Sequence, residues 1–222
     1  MDLLQEYIER HIDAEPPQLA ELYRKANIRL LNPRMVAGHT QGRLLKMLVR
    51  IFNPKRVLEI GTFTGYATLC MAEGLRQDGE IHTIEIDDEL EEFILEEFEK
   101  SPLKHRIHLH IGNALDVIPK LEGMFDMAFI DGDKRQYCAS YEALFEKISD
   151  GGLIVADNTL WGGKVVQQPH PADLHTSEIL RFNSMIAADT RVEKVILPIR
   201  DGLTIIYKIP NDTPPDPSKS FP

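Results

Sequence analysis

The chain has 222 residues, 43% of them hydrophobic, which suits one α/β domain with a sizeable core. Its 35 acidic residues outnumber 25 basic ones, the formal net charge is -10, and no lysine- or arginine-rich run stands out, which argues against a broad phosphate-binding face. Two cysteines, Cys70 and Cys138, fall in helix-like segments and point to a reduced, cytoplasmic protein without a structural disulfide.

The N-terminus, Met1 to Arg10, lacks the basic start and apolar run of a secretory signal. Residues 1–52 are expected to be helical. Leu44, Leu45, Leu48 and Val49 follow a helical spacing, and Pro16-Pro17 and Asn32-Pro33 punctuate the segment. Strand and helix patterns then alternate. Strands are predicted at 56–60, 81–86, 107–111, 125–130 and 152–156, with helices at about 65–76, 88–99, 114–121 and 136–148 between them. Such alternation implies a doubly wound, mostly parallel sheet with helices on both faces. A helix at about 175–188 precedes strands Val192 to Ile199 and Leu203 to Ile209, joined by an Arg200-Asp201-Gly202 turn. That hairpin would add an antiparallel strand at one edge. A single domain is therefore expected over 1–222: a helical segment to 52, an α/β core over 53–209 and a Pro-rich tail over 210–222. No apolar stretch is long enough to span a membrane.

Val57-Leu-Glu-Ile-Gly61-Thr-Phe-Thr-Gly65-Tyr is a strand running into a glycine loop and a helix. Gly61 allows a tight turn, and Gly65 lets backbone approach a ligand or the next strand. Glu85 ends the next strand, twenty residues beyond Gly65, where an acid can bind both hydroxyls of a ribose. Phe63 replaces the middle glycine of a dinucleotide fingerprint, and Glu59 would repel a pyrophosphate. A carboxylate there suits a ligand with a cationic sulfonium and an amino group, which favours S-adenosylmethionine over NAD. A plainer role for Glu59 is that of a paired strand-end acid.

Two further strands end in acids. Phe125 to Asp131 is one; Gly152 to Asp157-Asn158 is the other. Ligands bind outside the carboxyl ends of parallel strands. Two carboxylates and an amide oxygen arriving there form a hard, all-oxygen site for a divalent cation. Lys134 follows Asp131 by three residues and is a candidate proton acceptor, because a nearby cation depresses its pKa. Simpler roles stand beside these: Asp131 as a helix cap, Asp157-Asn158 as a loop turn, Lys134 as a solvated lysine. Trp161, the only tryptophan, either walls an acceptor site by stacking or is plain packing. Tyr137 and Tyr141 share a helix face and suit the core. The eight histidines show no metal-binding spacing, and the acidic run Asp87 to Glu99 suits a solvated helix face.

Together these segments resemble the cation-dependent O-methyltransferase family of the caffeoyl-CoA and catechol type. Leu58 to Tyr66 matches its cofactor loop, including Thr62 and Phe63; Ile84-Glu-Ile86-Asp87 matches its ribose-binding strand end. Phe129-Ile-Asp-Gly-Asp-Lys134 with Tyr137, and Asp157-Asn-Thr-Leu-Trp-Gly-Gly163, match its two metal segments. Leu197-Pro-Ile-Arg-Asp-Gly202 is similar to its last hairpin, and Met35 to Gly42 to its N-terminal cofactor segment. The resemblance implies a seven-stranded sheet, S-adenosylmethionine, a divalent cation (magnesium first, manganese or calcium as alternatives) and a homodimer. It implies Asp131, Asp157 and Asn158 as metal ligands and Lys134 as the base. Glu59, Gly61, Glu85, Asp131 and Asp133 carry over as cofactor residues, with Ala114 at the adenine, and Asp131 also counts with Lys134 as catalytic. Arg200 departs from the pattern: many members have a small residue there, commonly glycine. It either selects an acidic acceptor or is a solvated turn charge. The expected activity is methylation of a vicinal-dihydroxy aromatic small molecule. Rival expectations are a hydroxylated tRNA uridine as acceptor, which the net charge disfavours, a non-catalytic binding protein, and an NAD-dependent reductase.

Overall fold

The computed structural model describes residues 3–211, so most of the Pro-rich tail expected from residue 210 lies outside the described residues. In chain order the elements are α1 (Leu3–Arg10), α2 (Pro17–Arg29), α3 (His39–Phe52), β1 (Arg56–Ile60), α4 (Tyr66–Ala72), β2 (Glu80–Glu85), α5 (Glu91–Glu99), β3 (Ile107–Ile111) and α6 (Ala114–Val117). They continue with β4 (Phe125–Ile130), α7 (Tyr137–Phe145), β5 (Ile148–Ala156), α8 (Leu174–Ala188), β6 (Val192–Leu197) and β7 (Leu203–Lys208). The strands form one seven-stranded sheet in the order β3-β2-β1-β4-β5-β7-β6. The chain divides into two compact units, residues 1–117 and 118–222.

In the first unit β1, β2 and β3 pair in parallel, with Glu59 opposite Thr83 and Glu85 opposite Ile111. Val57, Leu58 and Ile60 are all buried, which accounts for the near-continuous apolar run. Helix α3 crosses α4 closely at Gly42, where a Cβ would meet the Cys70 sulfur at 2.6 Å. The acidic helix α5 is not wholly solvated, against expectation. Glu97 is buried and accepts hydrogen bonds from Lys25 of α2 at 3.0 Å and Lys100 at 2.6 Å. A buried charge persists only when paired in this way, and the pair fastens α2 to α5.

In the second unit β4 pairs in parallel with β5, and β5 pairs antiparallel with β7. The hairpin expected from Arg200-Asp201-Gly202 forms, and its second strand, β7, lies between β5 and the outer β6. Strand β5 starts four residues before the predicted 152. It runs through Gly151, at φ 77°, beside a register irregularity between Phe125 and Met127. Glycines usually interrupt a strand, and here they shape a bulge. Phe125, Met127, Phe129, Ile154 and Val155 form the core of this unit, each such side chain contributing about 1.5–3 kcal/mol on burial. Cys70 and Cys138 are both buried free thiols. No helix among the described residues is long and apolar enough to cross a membrane.

Candidate active site

Strand β1 delivers the loop Gly61–Gly65 into the N-terminus of α4. Gly61 and Gly65 have φ of 99° and 78°, the left-handed region where glycine carries no steric penalty. Gly65 has a second constraint: a Cβ there would collide with the Phe98 ring of α5. Its close approach is therefore to a packed side chain. The loop is fastened at Glu85, a buried carboxylate at the end of β2. Glu85 Oε2 accepts the Phe63 N–H at 2.6 Å and Oε1 accepts the Asp87 N–H at 2.9 Å. Each carboxylate oxygen retains a further lone pair for a ligand hydroxyl. Glu59 is fully buried, and its Oε2 accepts the hydroxyls of Thr68 and, at 2.6 Å, Thr83. The Thr62 and Thr83 hydroxyls lie 2.6 Å apart, so the loop and β2 share one network.

The other residues expected around the cofactor are placed as follows. The Tyr66 ring is buried and its hydroxyl donates to Glu15 at 2.5 Å, leaving its backbone at the start of α4. Ile86 is exposed just after β2, and Ala114 is buried at the start of α6. Asn113 accepts the Leu115 N–H at 3.0 Å and fixes the entry to that helix. Asp133 is half-buried and belongs to the second unit. Arg135 grips it with Nη2 at 2.7 Å, and that bond holds its carboxyl below the usual range.

In the second unit the ends of β4 and β5 are tied together. The Asp157 N–H donates to the Ile130 carbonyl at 2.9 Å. The buried Tyr137 hydroxyl lies 3.3 Å from the Ile130 carbonyl and donates to the Asp157 carbonyl at 3.0 Å. Asp131 is not the helix cap: Asp133 accepts the Arg135 N–H at 3.0 Å and takes that role. Asp131 Oδ1 instead accepts Lys134 Nζ at 2.7 Å. Lys134 is no solvated lysine. It is 11% exposed, also donates to the Gly132 carbonyl at 3.2 Å, and lies 4.9 Å from the Tyr137 ring centre. Burial works against its charge, but the Asp131 carboxylate outweighs burial and holds its pKa above the ordinary lysine value.

Asp157 is buried, with Oδ1 accepting the Asn158 N–H at 2.7 Å. Asn158, at φ 56°, turns its amide nitrogen to Asp201 at 3.4 Å. Its amide oxygen consequently faces the other way. Asp201 also accepts the Gly162 N–H, and its carbonyl accepts the Leu160 N–H at 2.9 Å. At the neighbouring Gly202, φ is 88° and a Cβ would meet Leu160 N at 2.7 Å, so the β6–β7 turn is clamped onto the 157–163 loop. Asp201 and Tyr137 thus hold the acids in place. The sequence offered Asp201 only as part of a turn and Tyr137 only as core. Trp161 is half-buried and stacks against His175 at 6.2 Å between ring centres. Its indole N–H is buried with no acceptor among the described residues. Arg200 is exposed at φ 50°. Of five non-glycine residues at positive φ among the described residues, Phe63, Asn158, Trp161 and Arg200 lie in loops following strands, the kind of backbone strain that gathers at functional sites.

The model of the O-methyltransferase family matches residues 9–209. Caffeoyl-CoA O-methyltransferase 1 of Nicotiana tabacum is 37% identical over 186 residues, covering 79% of this chain and 78% of that one. The caffeoyl-CoA O-methyltransferase of Petroselinum crispum is 34% identical over 223 residues, covering 94% and 91%. Among solved structures, the O-methyltransferase TomG of Streptomyces achromogenes, in complex with SAM, has a TM-score of 0.86. It is 27% identical, with 93% of this chain and 96% of that chain covered. The family model spans both compact units, and the chain belongs to the O-methyltransferase family.

Proposed function

We propose that the chain transfers a methyl group from S-adenosylmethionine to one hydroxyl of a vicinal-dihydroxy aromatic, with a divalent cation held by Asp131, Asp157 and Asn158. The observation that carries this reading is the oxygen donor set at the ends of β4 and β5, held there by Tyr137 and Asp201. Three oxygens, two of them anionic, suit a hard cation such as magnesium. The relatives named for caffeoyl-CoA supply the acceptor class by analogy.

A cation bound there lowers the pKa of a phenolic hydroxyl, ordinarily about 10, toward neutrality. The chain's residues supply the rest. Lys134 sits within reach of Asp131 and accepts the phenol proton at Nζ. In the ion pair it is an ammonium and no base. With Asp131 committed elsewhere, burial is left to act on Lys134, and its pKa falls. Glu85 takes the ribose hydroxyls of the donor, Glu59 faces its amino group, and the backbone of Gly61 to Tyr66 with Ile86 and Ala114 encloses the remainder, while Asp133 of the second unit is a further cofactor residue by the family resemblance. Trp161 walls the acceptor site by stacking on the aromatic acceptor, and Arg200 draws acidic ones. Well-oriented reactants gain on the order of 7–11 kcal/mol from positioning alone.

The test is methyl transfer from labelled S-adenosylmethionine to catechols, caffeoyl thioesters and bulk tRNA, with and without EDTA, beside Asp157→Ala. EDTA-sensitive labelling of a catechol, lost in the variant, is the expected result. Labelling that survives both changes would sink the metal assignment, and labelling of tRNA alone would replace the acceptor.

A further inference from the structure

A second set of cation ligands lies in the first unit, outside everything the methyl-transfer reading uses. Glu80 and His82 lie on one face of β2, and the parallel register places His108 of β3 beside His82. One ligand atom from each of the three lies within 4.8 Å of the others. Glu80 Oε1 is 3.3 Å from His82 Nε2, and Glu80 Oε2 is 3.3 Å from His108 Nε2. A tetrahedron with metal bonds of about 2.0–2.1 Å has edges of about 3.3–3.4 Å. Each imidazole nitrogen lies at about that distance from one of the two Glu80 oxygens. Two imidazole nitrogens and one carboxylate suit a borderline transition ion of the zinc class, whereas magnesium prefers oxygen alone.

The surroundings already hold His82 in the form a metal needs. Arg56 Nη2 lies 3.3 Å from His82 Nε2. A guanidinium only donates, so that ring nitrogen bears a lone pair. The ring proton then resides on Nδ1, which donates to His110 Nε2 at 3.0 Å. A lone pair at Nε2, held by Arg56 in this structure, and a donated N–H behind it are the usual pattern of a metal-binding histidine once an ion replaces the guanidinium. Nε2 and the Glu80 carboxylate oxygen, two acceptors 3.3 Å apart, are bridged by the Arg56 guanidinium, whose place a bound ion would take. Arg56 Nε donates to Glu80 Oε1 at 2.7 Å and orients the carboxylate, with Oε2 toward His108. The imidazoles are stacked, with His82 5.2 Å from His110 and 4.6 Å from His108 between ring centres.

We propose that Glu80, His82 and His108 form a zinc-class binding site that bridges β2 to β3, with His110 orienting His82 and the ion taking the place of the Arg56 guanidinium at His82 Nε2. The proposal does not rest on the identity of the methyl acceptor or on the oxygen donors of the second unit.

The experiment titrates the untagged full chain with Zn2+ and with Co2+, whose visible absorption separates tetrahedral from octahedral coordination, in excess Mg2+. It compares the native chain with His108→Gln, Glu80→Gln and Asp157→Ala. The His108 side chain is 42% exposed, so its variant keeps the fold. The expected result is a tetrahedral cobalt spectrum, displaced by zinc and unchanged in Asp157→Ala, with affinity at least about tenfold weaker in His108→Gln and Glu80→Gln. An octahedral spectrum, one that persists in both of those variants, or one lost in Asp157→Ala would overturn the site.

Discussion

Glu85 and Asp131 each stand at the end of a parallel strand, yet their surroundings differ in kind. Glu85 gives both oxygens to backbone N–H groups of its own unit. Asp131 gives an oxygen to a mobile class of partner, the ammonium of Lys134. A carboxylate anchored on backbone is fixed in place and serves a neutral ligand through its remaining lone pairs. A carboxylate paired with a side-chain cation can exchange that cation for another. The first arrangement suits a ribose and the second suits a metal ion. Under the proposed function, most donor-binding residues belong to the first unit and the acceptor-activating ones to the second.

The largest expected effect breaks the division in the second unit. Asp157→Ala should lower methyl transfer by about 10³-fold or more, corresponding to several kcal/mol of lost stabilisation. Calorimetric titration should find S-adenosylmethionine binding within about twofold of the native chain. If cofactor binding fell in parallel with turnover, the division would be wrong.

Lys134→Met separates the two properties of the second unit. Turnover should fall by about 10²- to 10⁴-fold, the range for loss of a positioned acid–base group. Magnesium affinity should rise, because Asp131 no longer holds an internal cation. A decrease in magnesium affinity would show that Lys134 supports the donor set and does not compete with it.

Glu85→Ala attacks the first unit. The N–H groups of Phe63 and Asp87 lose their acceptor, which costs about 1–3 kcal/mol of stability by chemical denaturation. Cofactor affinity should fall with it. Glu85→Gln keeps one acceptor oxygen and should lie between.

The strands, the glycine loop and the three strand-end acids were legible in the sequence because each is local: an apolar run, a turn and a polar residue within ten positions. What holds those acids was not. Tyr137 reaches back to the Ile130 and Asp157 carbonyls, and Asp201 reaches Asn158 from 43 residues away. Both depend on tertiary placement, and a tyrosine on a buried helix face gives no outward sign of a hydroxyl role. The histidines show the same limit. His82 and His108 have no metal-ligand spacing along the chain, and only the pairing of β2 with β3 sets them side by side. Gly65 was legible as a required glycine, but its reason, the Phe98 ring, lies on another helix.

The smallest expected effect concerns Arg200. Its φ of 50° places a long side chain where the backbone favours glycine, a cost of about 1 kcal/mol. Arg200→Gly should recover that energy and raise the melting temperature by about 2–4 °C for a chain of this size. Asn tolerates the same conformation, so Arg200→Asn should recover part of it. Neither change touches the strand-end acids, so turnover on a neutral catechol should stay near native. If the guanidinium draws acidic acceptors, KM for a caffeoyl thioester bearing phosphates should rise several-fold in both variants, with kcat unchanged. Equal KM values for neutral and acidic acceptors would leave Arg200 as a turn charge, retained against its own backbone strain.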